Sequence, residues 1–277
     1  MADKKKDEGL WEWVGWYSSW CKGCKNNCKY CYAMLKLVCR LKLLPDYESF
    51  ADFKLKTPTI TLRDGKTTTK IRKLEGWGML PGTHDIFPEI LDETLSYFRK
   101  HLEIGNKLLI VSKPHFECIK AIIKEFSEFK EQIHFRFTIT SDDDPLIEEW
   151  EPFAPLYHER IDSLMYANQK KVHTSISIGP FLDRSPLLLI NSIEKFAQEI
   201  WIEPMNHLVH IKKIVDSSEY EYARDITSIK NLTQIVKNIN NQLEPEIRAK
   251  IRLKTPFNPI LELLKNQTLT RWIEVKK

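Results

Sequence analysis

Short apolar runs with the two-residue period of strands recur along the chain, separated by longer runs whose apolar positions repeat every three or four residues. That alternation is the pattern of parallel βα units. Strands are predicted at residues 11–17, 76–80, 107–111, 134–140, 172–178 and 199–202. Helices are predicted at 32–43, at 89–101 with Ile90, Leu91, Leu95 and Phe98 on one stripe, at 115–129, around Leu156, Ile161 and Leu164, and near 187–196. Residues 45–56 are irregular, and 57–71 read as a hairpin turning at Asp64-Gly65. From about residue 208 the pattern gives further helices and a short strand at 251–254. The predicted organisation is a leader at 1–10, a partial barrel at 11–207 and a helical extension at 208–277 that closes it.

In parallel barrels the reactive groups gather at the carboxyl ends of the strands. The loops at those positions contain Cys24, Cys28 and Cys31 after the first strand, His84 and Asp85 after the second, and Lys113 after the third. Thr138 and Thr140 belong to the fourth; Glu203, Asn206 and His207 follow the sixth. The cysteines carry the most information. Three thiolates in a Cys-x3-Cys-x-Tyr-Cys run can hold three irons of a cubane cluster and leave the fourth iron without a protein ligand.

Cys21 adds a competing arrangement, because Cys21-x2-Cys24 and Cys28-x2-Cys31 make two pairs suited to tetrahedral zinc. Only three residues separate those pairs, whereas zinc ribbons place roughly 12–20 between them so that a hairpin can turn both toward one ion. A non-catalytic zinc module and an iron–sulfur electron-transfer or sensor protein stand as the alternatives to an enzyme. Cys39 and Cys118 fall in helical apolar patterns and read as buried small hydrophobes.

The chain has 277 residues, 42 basic and 38 acidic, for a net charge of +4, too mild a balance to argue for nucleic acid. No apolar stretch approaches the roughly 18–20 residues that span a bilayer. The lysine-rich start lacks the apolar core of a secretion signal, so a reducing, cytoplasmic setting is expected.

The spacing of Cys24, Cys28 and Cys31, with Tyr30 before the third, resembles the signature of the radical S-adenosylmethionine (radical SAM) superfamily. Gly23-Cys24, Cys31-Tyr32, the Ser112-Lys113 strand end, the 135–140 strand with Asp142, and Glu151-Pro152, Ala154-Pro155 and Arg160 are similar to its spore photoproduct lyase-like group. The resemblance implies an α/β, partial six-stranded parallel βα barrel. It also implies a 4Fe–4S cluster on Cys24, Cys28 and Cys31 and S-adenosylmethionine on the open iron. Reductive cleavage would give a 5′-deoxyadenosyl radical that abstracts a substrate hydrogen, with a flavodoxin or ferredoxin as electron donor. The substrate stays open between a nucleotide, a nucleic acid or another molecule, since no donor cysteine like the lyase's is evident.

On this reading Tyr30, Lys113, Thr138 and Thr140 line the cofactor, with Gly76, Gly78 and Gly82 admitting close backbone approach. His84 and Asp85 are the catalytic candidates, and Glu203, Asn206 and His207 the substrate candidates. Glu151 and Arg160 read as a supporting ion pair, and Asp142, Asp143 and Asp144 as a capping cluster.

Overall fold

The computed structural model describes residues 13–33, 61–62, 71–205, 218, 220–262 and 264. The leader, most of the first predicted helix, the irregular segment, the Asp64-Gly65 turn, Cys39, Asn206 and His207 lie outside the described residues.

Seven strands form one sheet: β1 (Trp16–Tyr17), β4 (Trp77–Leu80), β5 (Lys107–Ser112), β6 (Ile133–Thr138), β7 (His173–Ile178), β8 (Ile200–Ile202) and β9 (Ile251–Leu253). Their spatial order is their chain order and every neighbouring pair is parallel. Parallel crossovers are right-handed, so a sheet wound in one direction keeps its helices on one face and curls into a half-barrel. The six predicted barrel strands are all present, and the short strand predicted at 251–254 joins the same sheet as β9, its seventh. A separate antiparallel pair joins β2 (Cys21–Lys22) to β3 (Thr61–Leu62).

The connecting helices are α1 (Leu91–Glu103), α2 (Phe116–Glu125), α3 (Asp144–Trp150), α4 (Tyr157–Gln169) and α5 (Leu187–Ile193). The later part of the chain adds α6 (Glu221–Ile226), α7 (Ile229–Gln242) and α8 (Pro245–Lys250). Alternation along the strands sorts side chains between two faces. Leu108, Ile110, Phe135, Phe137, Ile176 and Ile178 share the main core with Leu102, Ile119, Ile122 and Leu164 of the helices. Cys118 of α2 is fully buried in the same core, as its apolar setting predicts.

The other face of the sheet combines a small apolar cluster of Val14, Met79 and Leu109 with polar and aromatic side chains. The Arg136 guanidinium sits between the rings of Trp13 and Trp201, 4.7 and 4.9 Å from their centres. It donates to Ser175 Oγ at 2.9 Å and to Glu199 Oε2 at 3.2 Å. Lys254, just past β9, lies 4.0 Å over Trp13 and 3.4 Å from Glu203. A buried cation is stable only with such partners.

Gly78 is required by this packing, because a Cβ there would fall 2.1 Å from the Trp16 ring. Gly76 has φ +70, and a side chain on Gly82 would meet Tyr17. The close approaches at Gly78 and Gly82 are thus to aromatic rings of the first strand.

His134 on β6 stacks on His173 with ring centres 4.0 Å apart and bonds Ser175 Oγ through Nε2 at 2.7 Å. Burial, then the neighbouring His173 and Arg136, push its pKa down from 6.5 to about 3. The unfolded chain therefore binds a proton here that the folded chain refuses, and stability drops as pH falls through the window from 6.5 to about 3. Urea unfolding at stepped pH should show His134→Gln losing less stability than wild type across that window, by up to about 1.4 kcal/mol per pH unit. Parallel pH profiles of the two proteins would show that His134 titrates normally in the fold.

Candidate metal and cofactor site

The cysteine loop leaves the carboxyl end of β1 and passes through β2 before turning at Gly23 (φ 80) and Asn27 (φ 48). Glycine adopts that left-handed region freely and asparagine is among the few other residues that do. The Lys29 amide donates to the Trp150 carbonyl at 2.9 Å, and the Tyr220 hydroxyl to the Lys29 carbonyl at 3.0 Å. The loop is thus anchored between the end of α3 and the start of α6.

Cys24, Cys28 and Cys31 lie near enough to one another for their charges to interact. The charges acting on Cys24 are those of Asp85, Cys28 and Cys31, and burial first, then that negative company, holds its thiol well above the usual range. Cys28 is pushed up to about 12 by burial, with Lys113 acting in the opposite sense. A bound metal reverses such a preference, since a coordinating thiol gives up its proton outright.

Asp85 is the centre of the surrounding network. Its backbone N–H donates to Cys24 Sγ at 3.4 Å, and the Cys24 thiol lies 3.8 Å from Asp85 Oδ2. Asn26 Nδ2 donates to the same oxygen at 2.8 Å. Oδ1 accepts from Ser112 Oγ at 3.1 Å and from the Lys113 amide at 2.8 Å. Lys113 Nζ stands 3.6 Å from Oδ2 and 5.5 Å over the Tyr30 ring. Burial works against the Asp85 carboxylate, but Lys113 and these hydrogen bonds together keep its pKa lowered. For Lys113, burial is outweighed by Asp85, Cys28, Tyr30 and Glu151, and the proton is held more tightly than usual.

His84 uses both ring nitrogens internally: Nδ1 pairs with the Asp85 carbonyl at 2.8 Å and Nε2 accepts the Cys21 amide at 3.3 Å. That pattern puts the proton on Nδ1. Its ring also packs edge-on against Trp20, centres 4.6 Å apart.

The Tyr30 hydroxyl donates to Glu151, whose carboxylate is paired with Arg160; both of those side chains are fully buried. Arg160 also donates to the Pro155 carbonyl at 2.7 Å and to Thr140 Oγ1 at 3.1 Å. The expected supporting ion pair is therefore present, and Thr140 belongs to it. Thr138 is buried on the polar face. Asp144 accepts the Tyr157 amide at 2.8 Å, and Asp183 takes Ser141 Oγ at 2.8 Å. Asn26 and Lys254 carry no signal in the sequence, and Ser112 enters there only as part of the Ser112-Lys113 strand end.

Three cysteines in one loop match the donor set of a cubane iron–sulfur cluster, which takes one thiolate per iron. Cys21 is fully buried in the apolar core on β2. Among the described residues no three His, Cys, Asp or Glu side chains are grouped to hold a single ion. Zinc needs its sulfurs about 2.3 Å from one centre, whereas a cubane gives each thiolate its own iron and accepts a wider triangle.

No family model matches the chain, and no curated protein matches it. Among solved structures it is similar to a spore photoproduct lyase mutant with bound AdoMet and dinucleoside spore photoproduct. The two are 14% identical with a TM-score of 0.44, over 75% of this chain and 59% of that one. Function is therefore read from the cysteine loop and its surroundings. Among the described residues no helix is long and apolar enough to cross a membrane.

Proposed function

We propose that the protein is a radical SAM enzyme. The observation that carries this reading is the single loop bearing Cys24, Cys28 and Cys31 that follows the carboxyl end of β1 in a parallel half-barrel. A 4Fe–4S cluster bound there would supply the electron that cleaves S-adenosylmethionine to methionine and a 5′-deoxyadenosyl radical, the hydrogen-abstracting species. The chain's own residues bind and orient. Thr138, on the polar face of β6, and Thr140, which accepts from Arg160 and keeps its own hydroxyl proton to give, are the donors toward the cofactor. Tyr30 forms part of the wall, held by Glu151, and Lys113 puts a positive charge beside it. His84 and Asp85, the catalytic candidates from the sequence, act in this reading on the cysteine loop. Glu203, at the end of β8 and paired with Lys254, faces the substrate side. A flavodoxin or ferredoxin in a reducing cytoplasm serves as donor, and the substrate class includes nucleotides and nucleic acids.

Anaerobically reconstituted protein incubated with S-adenosylmethionine and dithionite should yield 5′-deoxyadenosine and methionine. S-adenosylhomocysteine without deoxyadenosine would point to methyl transfer and sink the proposal. A full complement of iron and sulfide with no cleavage would leave an electron-transfer or sensor protein in its place.

A further inference from the structure

The buried pair beside the cysteines is more elaborate than anchoring the loop requires. Asp85 is held by four donors, namely Asn26 Nδ2, Ser112 Oγ, the Lys113 amide and the Lys113 ammonium, at 2.8, 3.1, 2.8 and 3.6 Å. Its carboxylate cannot turn away from Cys24 Sγ, 3.8 Å off. The two side chains are only 15% and 9% exposed, so water screens them little. Their charges bear on the ligand sulfurs with opposite sign: Asp85 acts on Cys24 and Cys28, and Lys113 opposes it at Cys28.

Resting on the cluster assigned above, we propose that Asp85 and Lys113 are positioning residues that set the reduction potential of that cluster, Asp85 lowering it and Lys113 raising it. One electron enters the cluster on reduction. A fixed negative charge at a ligand sulfur disfavours it, and a fixed positive charge favours it. Charge and hydrogen bonds at the sulfurs are the means by which a protein tunes such a centre. The Asp85 N–H on Cys24 Sγ adds a constant upward contribution that side-chain substitution leaves alone.

The test is a mediated dithionite titration of reconstituted full-length protein, read by electron paramagnetic resonance, with iron and sulfide counted in every sample. Asp85→Asn should raise the potential and Lys113→Gln should lower it. Each should change the reduced-to-oxidised ratio at fixed potential about tenfold, which is about 59 mV for one electron. Lys113→Arg should return it toward wild type. A merely structural role would loosen the loop in both variants and could not move the potential in opposite directions. Loaded clusters that shift the same way, or not at all, overturn the inference. Wild-type protein that takes up no cluster instead overturns the function proposed above. If Asp85→Asn fails to load, identical potentials for Lys113→Gln and Lys113→Arg still refute it.

Discussion

Replacing Cys24, Cys28 or Cys31 with alanine is expected to reduce reconstituted iron from about four atoms per chain to almost none, and 5′-deoxyadenosine formation with it. On the proposed ligand set each thiolate would be the only protein ligand of its iron, and Asp85, fixed by its own hydrogen bonds, is not free to substitute. Cys21→Ala should keep its iron, because that side chain is buried in the apolar core. Its loss should appear as roughly 1 kcal/mol of stability, the cost of a small cavity. Iron and sulfide assays with the visible absorption of each variant decide the matter. A single tightly held zinc that vanishes in Cys21→Ala would overturn both the ligand set and the function.

The strands were legible because they recur between helical runs and place an apolar residue at every second position, toward the helices. β1 was the exception. The aromatic pattern at 11–17 suggested seven residues, yet among the described residues of that span only Trp16 and Tyr17 pair with β4. Trp13 serves instead as a platform for Arg136 and Lys254 on the inner face. β9 carries no buried apolar run; its place beside β8 depends on pairing with a strand some fifty positions earlier, which no local pattern encodes.

The site divides the same way. The cysteines are readable because their chemistry demands a fixed local spacing. The network that supports them is assembled across long separations: 59 residues from Asn26 to Asp85, 28 from Asp85 to Lys113, and 121 from Tyr30 to Glu151. His84 and Asp85 stood out as adjacent polar residues at a strand end, but adjacency says nothing about where their hydrogen bonds go. In the folded chain the two ring nitrogens of His84 and both Asp85 oxygens are engaged within the protein.

The largest stability effect is expected at Glu151. Its carboxylate is fully buried, receives the Tyr30 hydroxyl and neutralises Arg160, itself fully buried. Burial alone would raise its pKa, yet Arg160, Lys113 and the hydrogen bonds hold it below the usual value, so it is charged in the fold. Glu151→Ala leaves Arg160 without a counter-charge and the Tyr30 hydroxyl without an acceptor, a loss of about 3–5 kcal/mol. In a chain this long that is a drop in Tm on the order of 10 °C. Tyr30→Phe removes one hydrogen bond while the ion pair persists, and should cost about 1–2 kcal/mol. The double variant Glu151→Leu/Arg160→Met removes both charges and should recover part of the single-variant loss, though not all. Arg160 also serves the Pro155 carbonyl and Thr140. Chemical unfolding of the three variants tests the ordering. Glu151→Ala within about 1 kcal/mol of wild type would mean that water reaches the pair, and that the tether from the cysteine loop to β6 and α4 is not a buried one.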